Sequence, residues 1–308
     1  MQNPKIIFMG TPEFAVPVME AVNEKFGLSA VVTVPDKPQG RGLKLIPSQV
    51  KAKAEELGLK IFLPQSLKEE DFIEAVREIG PDIIVVIAFR ILPKELYTLP
   101  SIASFNIHGS LLPKYRGAAP INHAIINGES ATGLTSFILQ DKVDTGNILL
   151  TKETDILPGM TAGELHDKLM PMAAELSIET IELLLKGSYQ TISQNDSLAS
   201  PAPKLFKENT VIDWNMSSKR VINFIHGLSP HPAAWTIMDG AVLKILKAVD
   251  TDSNSLKPGQ FLLSKKEFLV GTSTGDIKIL QLQPSNKKSM PVNDFLNGYR
   301  GTLQGMMI

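Results

Sequence analysis

Two side chains able to do hydrogen-bond and proton chemistry stand two residues apart in the stretch Phe105-Asn106-Ile107-His108-Gly109-Ser110-Leu111-Leu112-Pro113. An apolar run from Ile102 to Ile107 carries Asn106 and His108 at its end, and such a run predicts a buried strand. Residues two apart in a strand point to the same face. An amide that can donate a hydrogen bond and an imidazole that titrates near neutrality should therefore emerge side by side. Gly109 and Ser110 break the strand, Pro113 should hold Leu112 extended, and Pro120 suits the first turn of a helix. Farther on, Val143-Asp144-Thr145-Gly146-Asn147 sets a carboxylate in a tight turn between two strand-like runs. Each feature alone is ordinary: N-x-H is more often a strand-end pair satisfied by its own backbone, and the Asp turn is a hairpin signal. Together they supply an electrophilic donor, a titrating group and an orienting carboxylate. Asp141, three residues earlier, is a rival acid.

Other chemistries fit less well. Ser110 lies in His108-Gly109-Ser110-Leu111-Leu112-Pro113 and lacks the G-x-S-x-G elbow of a serine nucleophile. His123, His166, His226 and His231 show no H-E-x-x-H spacing, so no metal is expected. The chain has no cysteine, which excludes disulfides, thiolate nucleophiles and Cys-based metal sites. Gly10 ends an apolar strand, but no G-x-G-x-x-G follows, which argues against a nicotinamide site.

The elements that must position these residues read as alternating strands and helices. Strands are expected at Lys5–Met9, Leu28–Val34, Ile61–Leu63 and Asp82–Ala88, with helices at Phe14–Lys25, Ser48–Leu57 and Glu69–Ile79 between them. Ile83–Ile87 is apolar on both faces, as a central parallel strand should be. Such a chain builds an α/β doubly wound, mostly parallel sheet, whose ligands sit at the carboxyl ends of the strands. A short helix is expected from Pro120 to Asn127, and strands at Leu134–Leu139 and Ile148–Lys152. Thr161-Ala162-Gly163-Glu164 is a capping-box pattern opening a long amphipathic helix to about Leu185. The segment Pro35–Pro47 interrupts the alternation; its prolines and glycines predict an irregular, exposed basic loop carrying Lys37, Arg41 and Lys44.

At 308 residues, with 43% hydrophobic and 20% charged content, the chain has core material for two domains. The boundaries expected are 1–187 for the sheet domain, 188–208 for a Ser-, Gln-, Asn- and Pro-rich linker, and 209–308 for a second domain. Short strands with turns at Asp239-Gly240 and Pro258-Gly259 predict a small β-barrel there, followed by a helix from Val292 to Tyr299. Residues 1–208 carry a net charge of −5 and residues 209–308 one of +4. A mildly basic second domain permits contact with nucleic acid without requiring it. Met1-Gln-Asn-Pro-Lys5 followed by one short apolar strand is neither a signal peptide nor a membrane span, so a cytoplasmic protein with no membrane association is expected.

The pattern N-x-H-x-S-L-L-P, followed by R-G-A-A-P-I and a later D-T-G, resembles the folate-dependent formyltransferases. The likeness extends from Ile6 into the C-terminal region and is most specific over residues 105–121. It implies 10-formyltetrahydrofolate as co-substrate, with no metal, and transfer of its formyl group to an amine. Asn106, His108 and Asp144 fall on the family's catalytic positions, and Ser110, Leu111, Leu112 and Pro113 on its folate-binding wall. The likeness is nearest to members acting on charged tRNA. It thus implies initiator Met-tRNA as acceptor, Arg41 and Lys44 as tRNA contacts, an OB-like C-terminal domain that helps hold tRNA, and a monomer. The family usually has a longer, Tyr-Gly-containing turn where this chain reads Phe89-Arg90-Ile91. Around the Asp144 turn, members commonly carry Met-Asp before and Asp after, where this chain has Leu139-Gln140 and Asn147. Two other readings share these residues. A formyltransferase for a small amine would need neither the Arg41 loop nor a second domain, and a silent RNA-binding module would not need Asn106, His108 and Asp144.

Overall fold

The computed structural model describes residues 3–39 and 44–308, and Arg41 lies outside them. The chain divides into two compact units, one of residues 1–117, 133–154 and 166–201, the other of residues 118–132, 155–165 and 202–308.

The first unit is built on a sheet of seven strands: β1 (Ile6–Gly10), β2 (Ala30–Val32), β3 (Ile61–Phe62), β4 (Ile83–Ile87), β5 (Ala103–His108), β6 (Ala131–Ile138) and β7 (Ile148–Asp155). Their order across the sheet is β7-β6-β5-β4-β1-β2-β3. Strands β5, β4, β1, β2 and β3 run parallel, and β6 lies antiparallel to β5. Every residue of β1 and β4 is buried, because helices cover both faces of a parallel sheet. The direction of winding reverses between β1 and β4, so a crevice opens at their carboxyl ends. Gly10 ends β1 there, and a Cβ on it would lie 3.2 Å from the Ile87 carbonyl oxygen and 2.9 Å from the Ala15 Cβ. Val86 of β4 is level with Asn106 of β5, which brings the N-x-H pair to the same end of the sheet.

The helices follow the sequence periodicity. Helix α1 (Val16–Phe26) follows a single turn of 3-10 helix, α2 (Gln49–Glu56) is capped by the Ser48 hydroxyl, and α3 (Glu70–Ile79) buries Phe72 and Val76. The long helix Ala162–Leu185 starts at the expected capping box: Thr161 N–H donates to Glu164 Oε2 at 2.7 Å, and Glu164 N–H returns to Thr161 Oγ1 at 3.3 Å.

The basic segment is more regular than its composition suggests. Lys37–Gln39 and Lys44–Ile46 pair as an antiparallel ladder, with Pro38 opposite Leu45. A two-stranded ladder consists only of edges, where a missing N–H is tolerated. Its foot is stapled twice: Thr33 and Ser48 share a hydroxyl hydrogen bond of 2.9 Å, and Lys51 Nζ lies 2.7 Å from both Asp36 carboxylate oxygens.

The second unit holds a curled antiparallel sheet of Ala234–Met238, Ala241–Asp250, Asp276–Pro284, Phe268–Gly271, Gln260–Leu263 and Gln304–Met306, in that order. Ile237 and Ile308 exchange two backbone hydrogen bonds, which bring the last residue of the chain back to the first of these strands. Burial alternates along Ala234–Met238, as expected where one face of a barrel-like sheet is core and the other is solvent. Phe261 and Phe268 meet edge-on at 6.2 Å in that core, with Ile245, Val270 and Ile277 around them.

Asp276 ties down the loop that enters this sheet. Its buried carboxylate accepts from the hydroxyls of Ser253 and Ser255 and from the backbone N–H groups of Ser255 and Leu256. Burial pushes the carboxyl up, but these hydrogen bonds outweigh it and hold its pKa below the ordinary carboxylate value. A depressed folded-state pKa adds stability above the unfolded value, near 3.9, and loses it as pH falls through the folded value. Asp276→Asn should therefore destabilise this unit by about 2–3 kcal/mol at pH 7, the worth of hydrogen bonds to a charged group. The gap to the parent should shrink as pH falls through the folded-state value. Trp214 and Trp235, the only tryptophans, both lie in this unit, so urea unfolding followed by tryptophan fluorescence reads it selectively. A gap that stays constant with pH would show that the carboxylate is not the stabilising form.

Candidate active site

Asn106 and His108 share one face of β5, and the neighbouring strand places Phe137 and Thr135 opposite them. His108 is buried, and its Nε2 lies 2.7 Å from the Tyr115 carbonyl oxygen. A carbonyl only accepts, so Nε2 carries a proton and donates it to Tyr115, which leaves Nδ1 as the nitrogen turned toward Asp144. Asp144 is 7% exposed, and its Oδ2 stands 3.7 Å from His108 Nδ1. That gap is too long for a direct hydrogen bond. The ring is therefore oriented by Tyr115, and Asp144 faces its free nitrogen. Asp144 Oδ2 also accepts from the Gly117 N–H at 2.9 Å. The second ring nitrogen and a carboxylate oxygen thus stand close enough for a single proton-bearing group to reach both.

Asn106 completes the site in a different way. It is half-buried, and its Oδ1 is sealed from solvent with no hydrogen-bond partner. Among the described residues, no protein group bonds its amide at all. The sealed Oδ1 can only accept; the uncommitted Nδ2, on the strand face shared with His108, is the group left to donate to a ligand.

One tripeptide holds the whole arrangement. The Tyr115 carbonyl fixes His108, the Arg116 side chain donates to Gln194 Oε1 from Nε at 3.0 Å and Nη2 at 2.7 Å, and the Gly117 N–H fixes Asp144. Gln194 in turn donates from Nε2 to the carbonyls of Asp144 at 2.9 Å and Gly146 at 2.8 Å. Ser200 braces the tripeptide from behind, with its hydroxyl accepting from Tyr115 N–H and its carbonyl accepting from Arg116 N–H, both at 2.9 Å. Tyr115 and Asp144 both sit in the left-handed region, at φ 60° and 56°; Asp enters it readily, whereas a bulky Tyr stays there only where its surroundings hold it. Gly146 allows no substitution: a Cβ there would lie 1.7 Å from the Ile138 carbonyl oxygen.

The remaining sequence candidates separate clearly. Ser110 is fully buried, with its hydroxyl donating to the Lys114 carbonyl at 2.6 Å and its own carbonyl accepting from Thr135 Oγ1 at 2.7 Å. It is a structural hydroxyl. Leu112 packs with Phe137 and Ile148, whereas Leu111 and Pro113 remain half-buried; the Leu112–Pro113 peptide is cis. Asp141 is exposed and accepts from the Tyr97 hydroxyl at 2.5 Å, so Asp144, not Asp141, is the carboxylate that faces His108. Among the described residues, no group of three or more His, Asp or Glu side chains is placed to hold a metal, and no helix is long and apolar enough to cross a membrane. Lys44 lies in the second arm of the basic hairpin.

Sequence reasoning missed Tyr115, Gln194 and Ser200. Tyr115 and Ser200 act largely through backbone groups, which leave no trace in residue type. Gln194 sits in a stretch whose composition reads as a linker, and along 191–199 it is the one residue that is not exposed.

The turn after β4 is fastened through Arg90. Arg90 donates from Nη1 to the Gln65 carbonyl at 2.9 Å and from Nη2 to the Pro64 carbonyl at 3.0 Å, and lies 5.1 Å from the Phe89 ring. Burial lowers its pKa from the usual guanidinium value. The side chain therefore fastens the turn to the exit of β3. Arg90→Ala should leave affinity for a folate analogue within about twofold while costing about 1.5–3 kcal/mol of stability. Calorimetric titration and thermal unfolding of the same variant test this; a tenfold loss of affinity at unchanged stability would make Arg90 a ligand contact instead.

Comparison with known proteins agrees with this geometry. Residues 4–181 match the formyl transferase family and residues 204–300 its C-terminal domain. The chain is 45% identical over 306 residues to the methionyl-tRNA formyltransferase of Chlorobium limicola, covering 96% of each chain. It is 45% identical over 298 residues to that of Clostridium novyi, again covering 96% of each. Among solved structures it shares the fold of HypX from Aquifex aeolicus in complex with tetrahydrofolic acid, at a TM-score of 0.64 and 17% identity. That match covers 96% of this chain and 47% of HypX, so the chain spans about half of that protein's length. A two-part match across the chain and near-complete alignment to these relatives have one meaning: the chain belongs to the methionyl-tRNA formyltransferase family.

Proposed function

We propose that the protein transfers the formyl group of 10-formyltetrahydrofolate to the α-amine of methionine on initiator Met-tRNA. The observation that carries this reading is the unpartnered Asn106 amide beside the facing acceptors His108 Nδ1 and Asp144 Oδ2. In formyl transfer the amine nitrogen bonds to the formyl carbon, its carbonyl oxygen becomes negative, and the carbon–N10 bond then breaks. A donor at the oxygen and an acceptor for the amine proton are the two requirements. Asn106 supplies the donor. His108 Nδ1 takes the proton, Asp144 stabilises the imidazolium so formed, and the proton returns to N10 as it leaves. An amine is a sufficient nucleophile once deprotonated, so no covalent intermediate with the enzyme is needed.

The co-substrate would lie along Ser110–Pro113. Because the Ser110 and Leu112 side chains are committed to the interior, that wall would offer backbone groups and the half-buried Leu111 and Pro113. The names of the relatives support the tRNA acceptor, as does the basic composition of residues 35–47, whose Arg41 and Lys44 would meet the phosphates of the acceptor end. We assign residues 1–187 to catalysis and 209–308 to tRNA binding. The absence of cysteine fits a reducing cytoplasm.

The test is to incubate the protein with 10-formyltetrahydrofolate and, in separate reactions, charged initiator tRNA, glycinamide ribonucleotide or an amino sugar nucleotide, and to assay the formylated product. Formyl-Met-tRNA as the preferred product is the expected result. Preference for a small amine would move the acceptor assignment to that class, and tRNA binding without any product would show a silent RNA-binding protein.

A further inference from the structure

We propose that Gln194 is a positioning residue for the transfer reaction, setting the Asp144 turn through its amide while Arg116 dictates which way that amide faces. The proposal rests on the reading of Asp144 as a working carboxylate, and it concerns a residue in a stretch whose composition marks it as a connector.

The Gln194 amide is saturated. Its nitrogen donates to the Asp144 and Gly146 carbonyls, and its oxygen accepts from Arg116 Nε and Nη2. Arg116 is held in turn by Asp196, with Nη2 donating to Oδ1 at 2.8 Å. A guanidinium offers only donors and a carbonyl only acceptors, so the amide has a single orientation that satisfies all four bonds. Those bonds act on the residues that matter. Asp144 is held at φ 56°, and Gly146 lies so close to Ile138 that an added Cβ would stand 1.7 Å from its carbonyl oxygen. Gln194 ties the carbonyls of Asp144 and Gly146 to one amide, and that tie fixes where Asp144 Oδ2 stands relative to His108 Nδ1. Reacting groups lose about 10²-fold in rate from misplacement by an ångström.

The chemistry of the amide gives a sharp variant. In Gln194→Glu, one carboxylate oxygen keeps Arg116, but the other meets two carbonyl oxygens, and like partial charges push the turn away. Gln194→Met removes the grip without adding repulsion and retains volume. The full-length protein and its variants are assayed in single-turnover reactions with 10-formyltetrahydrofolate and Met-tRNA, with enzyme in excess so that slow rates are measured. Gln194→Glu should lower the transfer rate constant about 100-fold and Gln194→Met about 10-fold, with KM for both substrates within about twofold. Each change is then combined with Asp144→Asn. A residue that acts only through the Asp144 carboxylate loses its effect once that carboxylate is gone, so Gln194→Glu in the Asp144→Asn background should cost no more than about twofold. A residue that merely supports the fold would lower thermal stability and multiply its loss in both backgrounds. Full multiplicity, or a wild-type rate in Gln194→Glu, overturns the proposal and leaves the role of Asp144 standing. A wild-type rate in Asp144→Asn alone overturns that role and the proposal with it.

Discussion

His108→Ala is expected to lower the formyl-transfer rate constant about 10²–10⁴-fold, the range for losing a general acid or base. Asn106→Ala is expected to lower it about 10²–10³-fold, the range for losing one oxyanion donor. The two losses arise from different steps of the same event. Asn106 meets the oxygen that becomes negative, and its amide is uncommitted in the free protein, so alanine there removes no protein hydrogen bond. Stability should stay close to that of the parent. His108→Ala also removes the imidazole's hydrogen bond to the Tyr115 carbonyl, which costs about 0.5–1.5 kcal/mol of stability. His108→Gln, whose amide can still donate to that carbonyl, separates the two effects: it should recover stability and leave the rate low. Substrate affinities should change little, because neither side chain is required by the ground state. Rapid-quench measurement of formyl-Met-tRNA formation, with thermal unfolding of each variant, checks both. Near-normal rates in Asn106→Ala would remove the oxyanion assignment, and near-normal rates in His108→Gln would remove the imidazole from proton transfer.

Much of this site could be read directly from residue order. The period of two along β5 put Asn106 and His108 on one face, and the largely apolar run that carries them marked a buried strand. Asp144 followed from its turn between two strands, and the structure separates it from Asp141, which the sequence alone left as a rival. What could not be read has two physical causes. Backbone groups have no residue-type signature, so the Tyr115 carbonyl and Gly117 N–H were invisible although they orient His108 and Asp144. Long-range partners have no local signal either: Gln194 reaches Arg116 across 78 residues and Asp144 across 50.

The fold shows the same division. Strands with strong apolar periodicity, such as Ile83–Ile87 and Ala234–Met238, were evident. Gln260–Leu263 and Gln304–Met306 were not, being short and partly exposed, and they become strands because neighbours supply their hydrogen bonds. In the basic segment, Pro and Gly content suggested irregular chain, yet the arms pair because their feet are stapled to α2.

Asp144→Asn is expected to be the most damaging near-isosteric change in the protein, with a fall of about 10³-fold in the transfer rate constant. The backbone should not resist it. Asp144 lies at φ 56°, a region that Asn enters readily, so the turn and the Gln194 grip on its carbonyl survive. The side chain, however, must satisfy the Gly117 N–H with an acceptor, which turns the amide oxygen toward Gly117. That oxygen is also the one that stands 3.7 Å from His108 Nδ1, so the contact at the ring is kept while the negative charge is lost. The loss is therefore one of charge: the imidazolium formed when the ring takes the amine proton has no counter-charge. Asp144→Ala removes that charge, leaves the Gly117 N–H without its acceptor and strains the turn, so it should fall at least as far as Asp144→Asn. Nitrogen-15 chemical shifts of His108 provide the independent readout, since they report whether the ring responds to loss of the carboxylate. Equal rates in Asp144→Asn and the parent, or His108 nitrogen shifts unchanged between them, would mean that the carboxylate does not govern the histidine.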